Sequence, residues 1–325
     1  MFRIARIAGF LAIAIVGLAC AGMLYQACAT RRDHERFPPP GKLIDIGGRR
    51  LHLRCVGEGS PTVMLEAGGT GDSQQYAVLL GQLAPLTRVC AYDRAGMGWS
   101  DPSPLSLTAR ALANDLDALL TRAALPPPYV LVARSGGGPT VELYAREHAD
   151  TVKGLLFLDA IDGSAIDALS AAVKKMTRLA CAGRLLAHLG VLRLFDLRHQ
   201  RGHGRNELDA ALTYRTDAWD AVCSLVRSSP ESAAQLRNAR PLSREMPLVV
   251  VRHERVGDLP VEDPAYAATL EPIWQAEQAK LAACSSRGRL IVATGSGHHV
   301  ADERPELVLD ELRTLVGVVR RSAAR

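Results

Sequence analysis

Val130-Leu-Val-Ala-Arg-Ser135-Gly-Gly-Gly138 is the stretch whose reading decides the fold. An apolar, partly β-branched run from Tyr129 to Ala133 meets a turn of small residues, and a helical stretch from Val141 to His148 follows. Strand, sharp turn and helix in that order make a nucleophile elbow, which lifts a serine on a tight turn. The turn needs very small neighbours two residues before and after the serine, because the crossing backbones would otherwise collide. Those neighbours are Ala133 and Gly137; the usual pattern has glycine at both places, so Ala133 departs from it by one methyl.

A serine hydroxyl is a poor nucleophile until a histidine accepts its proton and an acid orients that histidine. Downstream, Arg289–Ala293 reads as a short buried strand that runs into Thr-Gly-Ser-Gly-His298-His299, with a helix expected from Pro305 to about Val319. A histidine on the loop after the last strand suits a general base; His298 is the choice, with His299 adjacent to it. Upstream, the strand Thr62–Glu66 empties into Ala67-Gly68-Gly69-Thr70-Gly71, a loop whose bare backbone can approach a substrate oxygen. Gly136, directly after the serine, would supply one backbone N–H of an oxyanion hole, and Gly68 or Gly69 the other.

These residues resemble the α/β-hydrolase family over roughly Pro38 to Val319. The resemblance is carried by paired strands at Lys42–Ile46 and Arg50–Cys55, the Glu66-Ala-Gly-Gly loop, the segment Arg88 to Asp93 with its turn to Ser100, the elbow, and Gly295-Ser-Gly-His298. It implies a mostly parallel central sheet flanked by helices, cofactor-free and metal-free chemistry, and a small acyl substrate. Relatives place the triad acid at one of two points. One follows the strand after the cap, here Pro247–Val251, where the expected position holds Val256 and the nearest candidate is Asp258. The other ends the strand after the elbow helix, and here that is Asp159, at the end of Gly154–Leu158. Asp159 is preferred on triad geometry, with Asp258 the alternative and Asp162 a candidate helix cap. Relatives that open epoxides or haloalkanes carry aspartate where Ser135 stands, which disfavours those activities. A proline-iminopeptidase-like or carbon–carbon-bond hydrolase, and a non-catalytic membrane-tethered binding protein, are the alternatives on the same scaffold.

The 325 residues, 48% hydrophobic, suffice for one large core. Strands alternate with helical stretches such as Ser106–Ala124 until Asp159, where helix-favouring runs at Ser164–Leu189 and Asn206–Arg227 interrupt the rhythm. The expected division is therefore an N-terminal segment and hinge at 1–36, core at 37–163, a helical cap at 164–245 and core again at 246–325. The cap is expected to shape the acyl pocket and exclude water.

Ile7 to Thr30 carries no charge, and its 24 residues at about 1.5 Å each are long enough to cross a bilayer. A single-pass anchor with the catalytic domain outside the cytoplasm is expected, with a signal peptide cleaved near Ala29 as the alternative. Arg31 to Phe37 is expected to be a polar hinge and Pro38–Pro40 a stiff spacer. Of the seven cysteines two lie in the apolar segment; Cys55 and Cys90 read as buried small hydrophobes, and Cys181 with Cys223 as a pair that could bridge in an exported domain. A net charge of +5 spread along the chain gives no local support for nucleic-acid binding. The arginines between Arg193 and Arg205 read as a solvated surface. His199 and His203 have metal-ligand spacing, but Gly202 and Gly204 break the helix such a site needs. Gly96-Met-Gly98 lacks the third glycine of a dinucleotide loop, Gly136–Gly138 lacks a phosphate-loop lysine, and His253 reads as a lone structural imidazole.

Overall fold

A computed structural model describes residues 2–195, 207–255 and 264–323. Eight strands form one sheet in the order β1-β2-β4-β3-β5-β6-β7-β8. The strands are β1 (Lys42–Asp45), β2 (Arg50–Val56), β3 (Thr62–Glu66), β4 (Val89–Tyr92), β5 (Tyr129–Arg134), β6 (Val152–Leu158), β7 (Leu248–His253) and β8 (Gly288–Ala293). β1, β2 and β4 pair antiparallel and every other pair is parallel. Strands covered on both faces are apolar along their whole length rather than alternating. Val63–Leu65 of β3 and Val130–Ala133 of β5 follow that rule, and every residue of both strands is buried.

The helices are α1 (Phe2–Arg36), α2 (Ala77–Leu83), α3 (Ala109–Arg122), α4 (Gly138–Glu147), α5 (Gly163–Ala168), α6 (Ser170–His188), α7 (Val191–Leu194), α8 (Glu207–Thr213), α9 (Thr216–Arg227), α10 (Ser229–Asn238), α11 (Pro264–Ala283), α12 (Val300–Glu303) and α13 (Pro305–Ala323). Two cores follow from the two faces. Leu112, Leu116 and Leu119 recur at helical spacing on α3 and pack with Phe157 and Tyr144 on one side. Val308, Leu312, Leu315 and Val319 of α13 join Leu80, Leu83 and Val130 on the other. The Thr108 side chain accepts the Ala111 N–H and starts α3.

Several expectations need correction. β8 is an edge strand with one neighbour, so Leu290 and Val292 stay 40% and 38% exposed rather than buried. The run Ser164–Leu189 breaks at Leu169 into α5 and α6, and Asn206–Arg227 breaks into α8 and α9. The helix-cap reading of Asp162 holds: its side chain caps α5 by accepting the Ala165 N–H at 2.7 Å. α10 and α11 were not foreseen. Cys55 and Cys90 are bridged, because β2 and β4 place them directly opposite each other with Cα atoms 4.1 Å apart. A second disulfide, Cys181–Cys223, joins α6 to α9. The expected hinge at Arg31 is helical: α1 runs unbroken to Arg36, and an Arg31–Glu35 pair lies along it. His199, His203 and Asp258 lie outside the described residues.

The parallel strands point their C-terminal ends one way, so the loops after β3, β5, β6, β7 and β8 gather at one edge, the usual place for ligands in open α/β sheets. Phe157, next to last on β6 and fully buried, braces the strand that leads into Asp159. Phe157→Ala should lower stability by ~3–5 kcal/mol, read as a fall in the urea midpoint with an unchanged slope.

Candidate active site

Ser135 follows β5 with φ +47°, a left-handed conformation that a side chain other than glycine adopts only under constraint. The constraint is steric. A Cβ at Gly137 would stand 2.6 Å from the Ala67 carbonyl oxygen, and one at Gly138 would overlap that of Ile161. α4 can therefore approach the sheet only with glycine at these positions. Ala133 is fully buried and accommodated.

Ser135 Oγ lies 2.9 Å from His298 Nε2, and His298 Nδ1 lies 2.6 Å from Asp159 Oδ2. The three residues named from the sequence thus meet, although 139 positions separate Asp159 from His298. Of the adjacent pair, His298 faces the serine. His299 turns its Nδ1 to Arg134, which also donates to Asp302 at 2.9 Å; burial and the Arg134 charge lower the His299 pKa. Asp159 itself has φ +46°, and its N–H donates to the Val251 carbonyl at 2.7 Å.

Asp159 is fully buried and receives four hydrogen bonds. His298 and His253 Nδ1 both face Oδ2, the latter at 2.7 Å. Trp274 Nε1 donates to Oδ1 at 2.9 Å and the His253 backbone N–H donates to the same oxygen at 3.2 Å. Burial alone would raise its pKa, but the two imidazoles outweigh burial and hold the carboxyl well below the usual carboxylate range. Asp159, His253 and His298 are close enough to share a metal ion. Each of the two imidazoles already shares a hydrogen bond with Asp159 Oδ2, contacts that an ion would have to replace.

His253, read from the sequence as a lone structural imidazole, ends β7 and is not alone: its Nδ1 meets Asp159. Trp274 lies on α11, which had not been foreseen, and so does Glu271, whose Oε2 is 3.1 Å from His253 Nε2. The glycine loop after β3 has unread supports too. Arg94 donates to Glu66 Oε1 at 2.9 Å, to the Ala67 carbonyl at 3.0 Å and to the Gly68 carbonyl, and Tyr92 donates to Glu66. The Gly68 N–H is engaged by Gln75 Oε1 at 3.2 Å, so Gly69 is the better placed of the two candidate donors. A Cβ on Gly136 would stand 3.1 Å from the Gly69 nitrogen, so the two backbones meet beside Ser135. A cavity of about 120 Å³ opens from this point, its walls including Ile166, Leu169, Met176, Leu225, Leu270 and Trp274.

Residues 63–311 match the family model described as the alpha/beta hydrolase family. The chain belongs to that family. It is 25% identical over 288 residues to an AB hydrolase superfamily protein of Gibberella zeae, covering 80% of this chain and 87% of that one. It is also 25% identical over 301 residues to a probable transporter of Hormonema carpetanum, covering 84% of this chain but only 42% of that protein's length. Among solved structures, an enol-lactonase from Burkholderia xenovorans superposes with a TM-score of 0.60 at 18% identity, covering 85% of this chain and 100% of its own. A haloalkane dehalogenase from Bradyrhizobium elkani superposes at 0.63 and 18% identity, covering 86% and 98%. At these identities the structures show a shared fold.

The depressed Asp159 pKa makes acid stability a test of the hub. Above about pH 5 the carboxylate is ionised in both folded and unfolded chains and its stabilisation is complete; below that the unfolded chain binds the proton first. The contribution is lost as pH falls toward the folded value. Asp159→Asn should therefore lose less melting temperature than the wild type between about pH 4 and pH 2; parallel curves would contradict the hydrogen-bond pattern.

Proposed function

We propose that the protein is a serine hydrolase of acyl bonds, an esterase or thioesterase, working through Ser135, His298 and Asp159. The single observation that carries this reading is the unbroken chain from Ser135 Oγ through His298 to Asp159, opening on an apolar cavity. As Ser135 Oγ attacks the carbonyl carbon, His298 Nε2 takes the hydroxyl proton, and the Gly136 and Gly69 N–H groups receive the charge that develops on the carbonyl oxygen. Collapse expels the alcohol or thiol, to which His298 returns the proton. Water then attacks the acyl-serine ester with His298 again as base, releasing the acid and restoring Ser135. Asp159 keeps His298 in the tautomer with Nε2 free to accept.

The helices between β6 and β7 act as the cap in this scheme. Ile166 of α5, Leu169 between α5 and α6, Met176 of α6 and Leu225 of α9 line the cavity over Ser135, which suits an aliphatic or aromatic acyl group and a site with little water. The carboxylate nucleophile of dehalogenating relatives is replaced here by a serine, so an acyl-enzyme ester fits better than an alkyl-enzyme one.

α1 serves as a retained anchor, with the catalytic domain outside the cytoplasm. α1 is long and apolar enough to span a bilayer, and its apolar N-terminal part is exposed. Its C-terminal part is docked on the cap. Gln26, 2% exposed, donates to the Tyr214 carbonyl at 2.5 Å, Asp33 pairs with Arg193 at 2.6 Å, and a Cβ at Gly22 would overlap the Leu189 carbonyl. Cleavage near Ala29 would strip Gly22 and Gln26 from that contact, which favours retention. The two disulfides suit an oxidising compartment.

A fluorophosphonate probe should label Ser135, and Ser135→Ala should abolish both labelling and ester hydrolysis without moving the melting temperature. A wild type that is unlabelled and silent on a panel of acyl esters would return the binding-protein alternative. Carbonate-washed membranes should retain the full chain; a mature N-terminus sequenced at Thr30 would replace the anchor with a cleaved signal.

A further inference from the structure

His253 is a fully buried histidine that the scheme above does not use. Its two ring nitrogens both face carboxylate oxygens: Nδ1 is 2.7 Å from Asp159 Oδ2, and Nε2 is 3.1 Å from Glu271 Oε2. A neutral imidazole carries one N–H and can satisfy only one of two acceptor-only partners; the imidazolium carries two. Glu271 is 3% exposed, and its other oxygen takes the Gln275 amide at 2.8 Å. Two buried carboxylates flanking a neutral ring would leave two uncompensated negative charges, a costly arrangement away from water.

We propose that His253 is held as a buried imidazolium between Asp159 and Glu271, a positioning residue that draws down the charge of Asp159 and thereby lowers the proton affinity of His298. This rests on the reading of His298 as general base. Asp159 Oδ2 is shared between the two rings, so each proton donated from His253 weakens the attraction that Asp159 exerts on a proton at His298. The positive charge of His253 acts in the same direction. The base thus stays deprotonated, and Ser135 stays activated, to lower pH than an isolated aspartate–histidine couple would allow. Burial opposes the charged form of His253, but Asp159 and Glu271 outweigh burial and raise its pKa.

No other charged side chain among the described residues enters this arrangement. On β7, Arg252 donates to the His253 carbonyl at 2.8 Å rather than to the ring, and just after the strand the Glu254 side chain takes the Gly295 N–H at 2.7 Å. Glu303 of α12 pairs with Arg255 at 2.7 Å. From α11, Trp274 faces Asp159 and Glu271 faces His253. His298 meets the His253 ring edge-on, with centroids 6.5 Å apart.

The full chain, isotope-labelled at histidine and held in detergent, provides the first test. Ring nitrogen NMR shifts of His253 at pH 7 should report both nitrogens protonated; the signature of a neutral tautomer would overturn the proposal whatever the activity. The second test is the pH profile of the fluorophosphonate labelling rate at Ser135. In His253→Gln the acid limb should move up by about one pH unit, with the plateau rate changed much less than the limb. Glu271→Gln should move the limb the same way by a smaller amount and lower the pH at which His253 titrates, and it carries the test if His253→Gln does not fold. Limbs that coincide with the wild type in a folded variant would leave His253 a structural residue only. Absence of labelling in the wild type would instead sink the hydrolase reading, while the NMR result would still report the charge of His253.

Discussion

One buried carboxylate holds the site together. Asp159 leaves β6 in a left-handed conformation and takes hydrogen bonds from His298 of the loop after β8, from His253 of β7 and from Trp274 of α11. Three chain segments far apart in sequence thereby converge on two oxygen atoms. A buried charge is tolerated only when it is fully hydrogen-bonded, and four donors meet that condition. Removing the carboxylate would leave those donors unpaired together, so the orientation of His298, the end of β7 and the seating of α11 depend on the same group.

Much of this was legible in the sequence, for identifiable reasons. The elbow could be read because steric demands at Gly137 and Gly138 leave few alternatives to glycine, and because a strand buried on both faces is apolar throughout. His298 could be read because a short strand and a glycine turn announce it. Asp159 was chosen over Asp258 because it ends a strand beside the elbow. The long-range contacts were less visible. Nothing local to Glu271 or Trp274 says that α11 crosses the end of β6, and a histidine at the end of β7 looks ordinary until its two nitrogens are seen to face carboxylates. Cys55 and Cys90 read as core residues because their pairing depends on the antiparallel register of β2 and β4. β8 resembled a buried strand because apolar content does not tell a central strand from an edge whose single neighbour leaves Leu290 and Val292 half open.

The glycine loop after β3 depends on its support in the same way as the triad. Glu66 and Arg94 are both buried and paired, and Arg94 reaches on to the carbonyls of Ala67 and Gly68. Pinning those carbonyls fixes the plane of the following peptide, and with it the direction of the Gly69 N–H. Gln75 occupies the Gly68 N–H, so the loop is held from both sides before any substrate arrives. Fixed dipoles of this kind need little rearrangement as charge develops on a substrate oxygen. The cap over the cavity is tied by the Cys181–Cys223 bridge and by the end of α1, so the structure couples the pocket walls to the helix proposed to enter the membrane.

The proposed triad requires Asp159 as the acid that orients His298. The most direct measurement is the second-order rate of Ser135 phosphonylation at neutral pH in Asp159→Asn, with Asp258→Asn in parallel. Loss of the correct histidine tautomer should slow Asp159→Asn on the order of ten-thousand-fold, while Asp258→Asn stays within a few-fold of wild type. A near-normal rate in Asp159→Asn, or a collapse in Asp258→Asn instead, would contradict it.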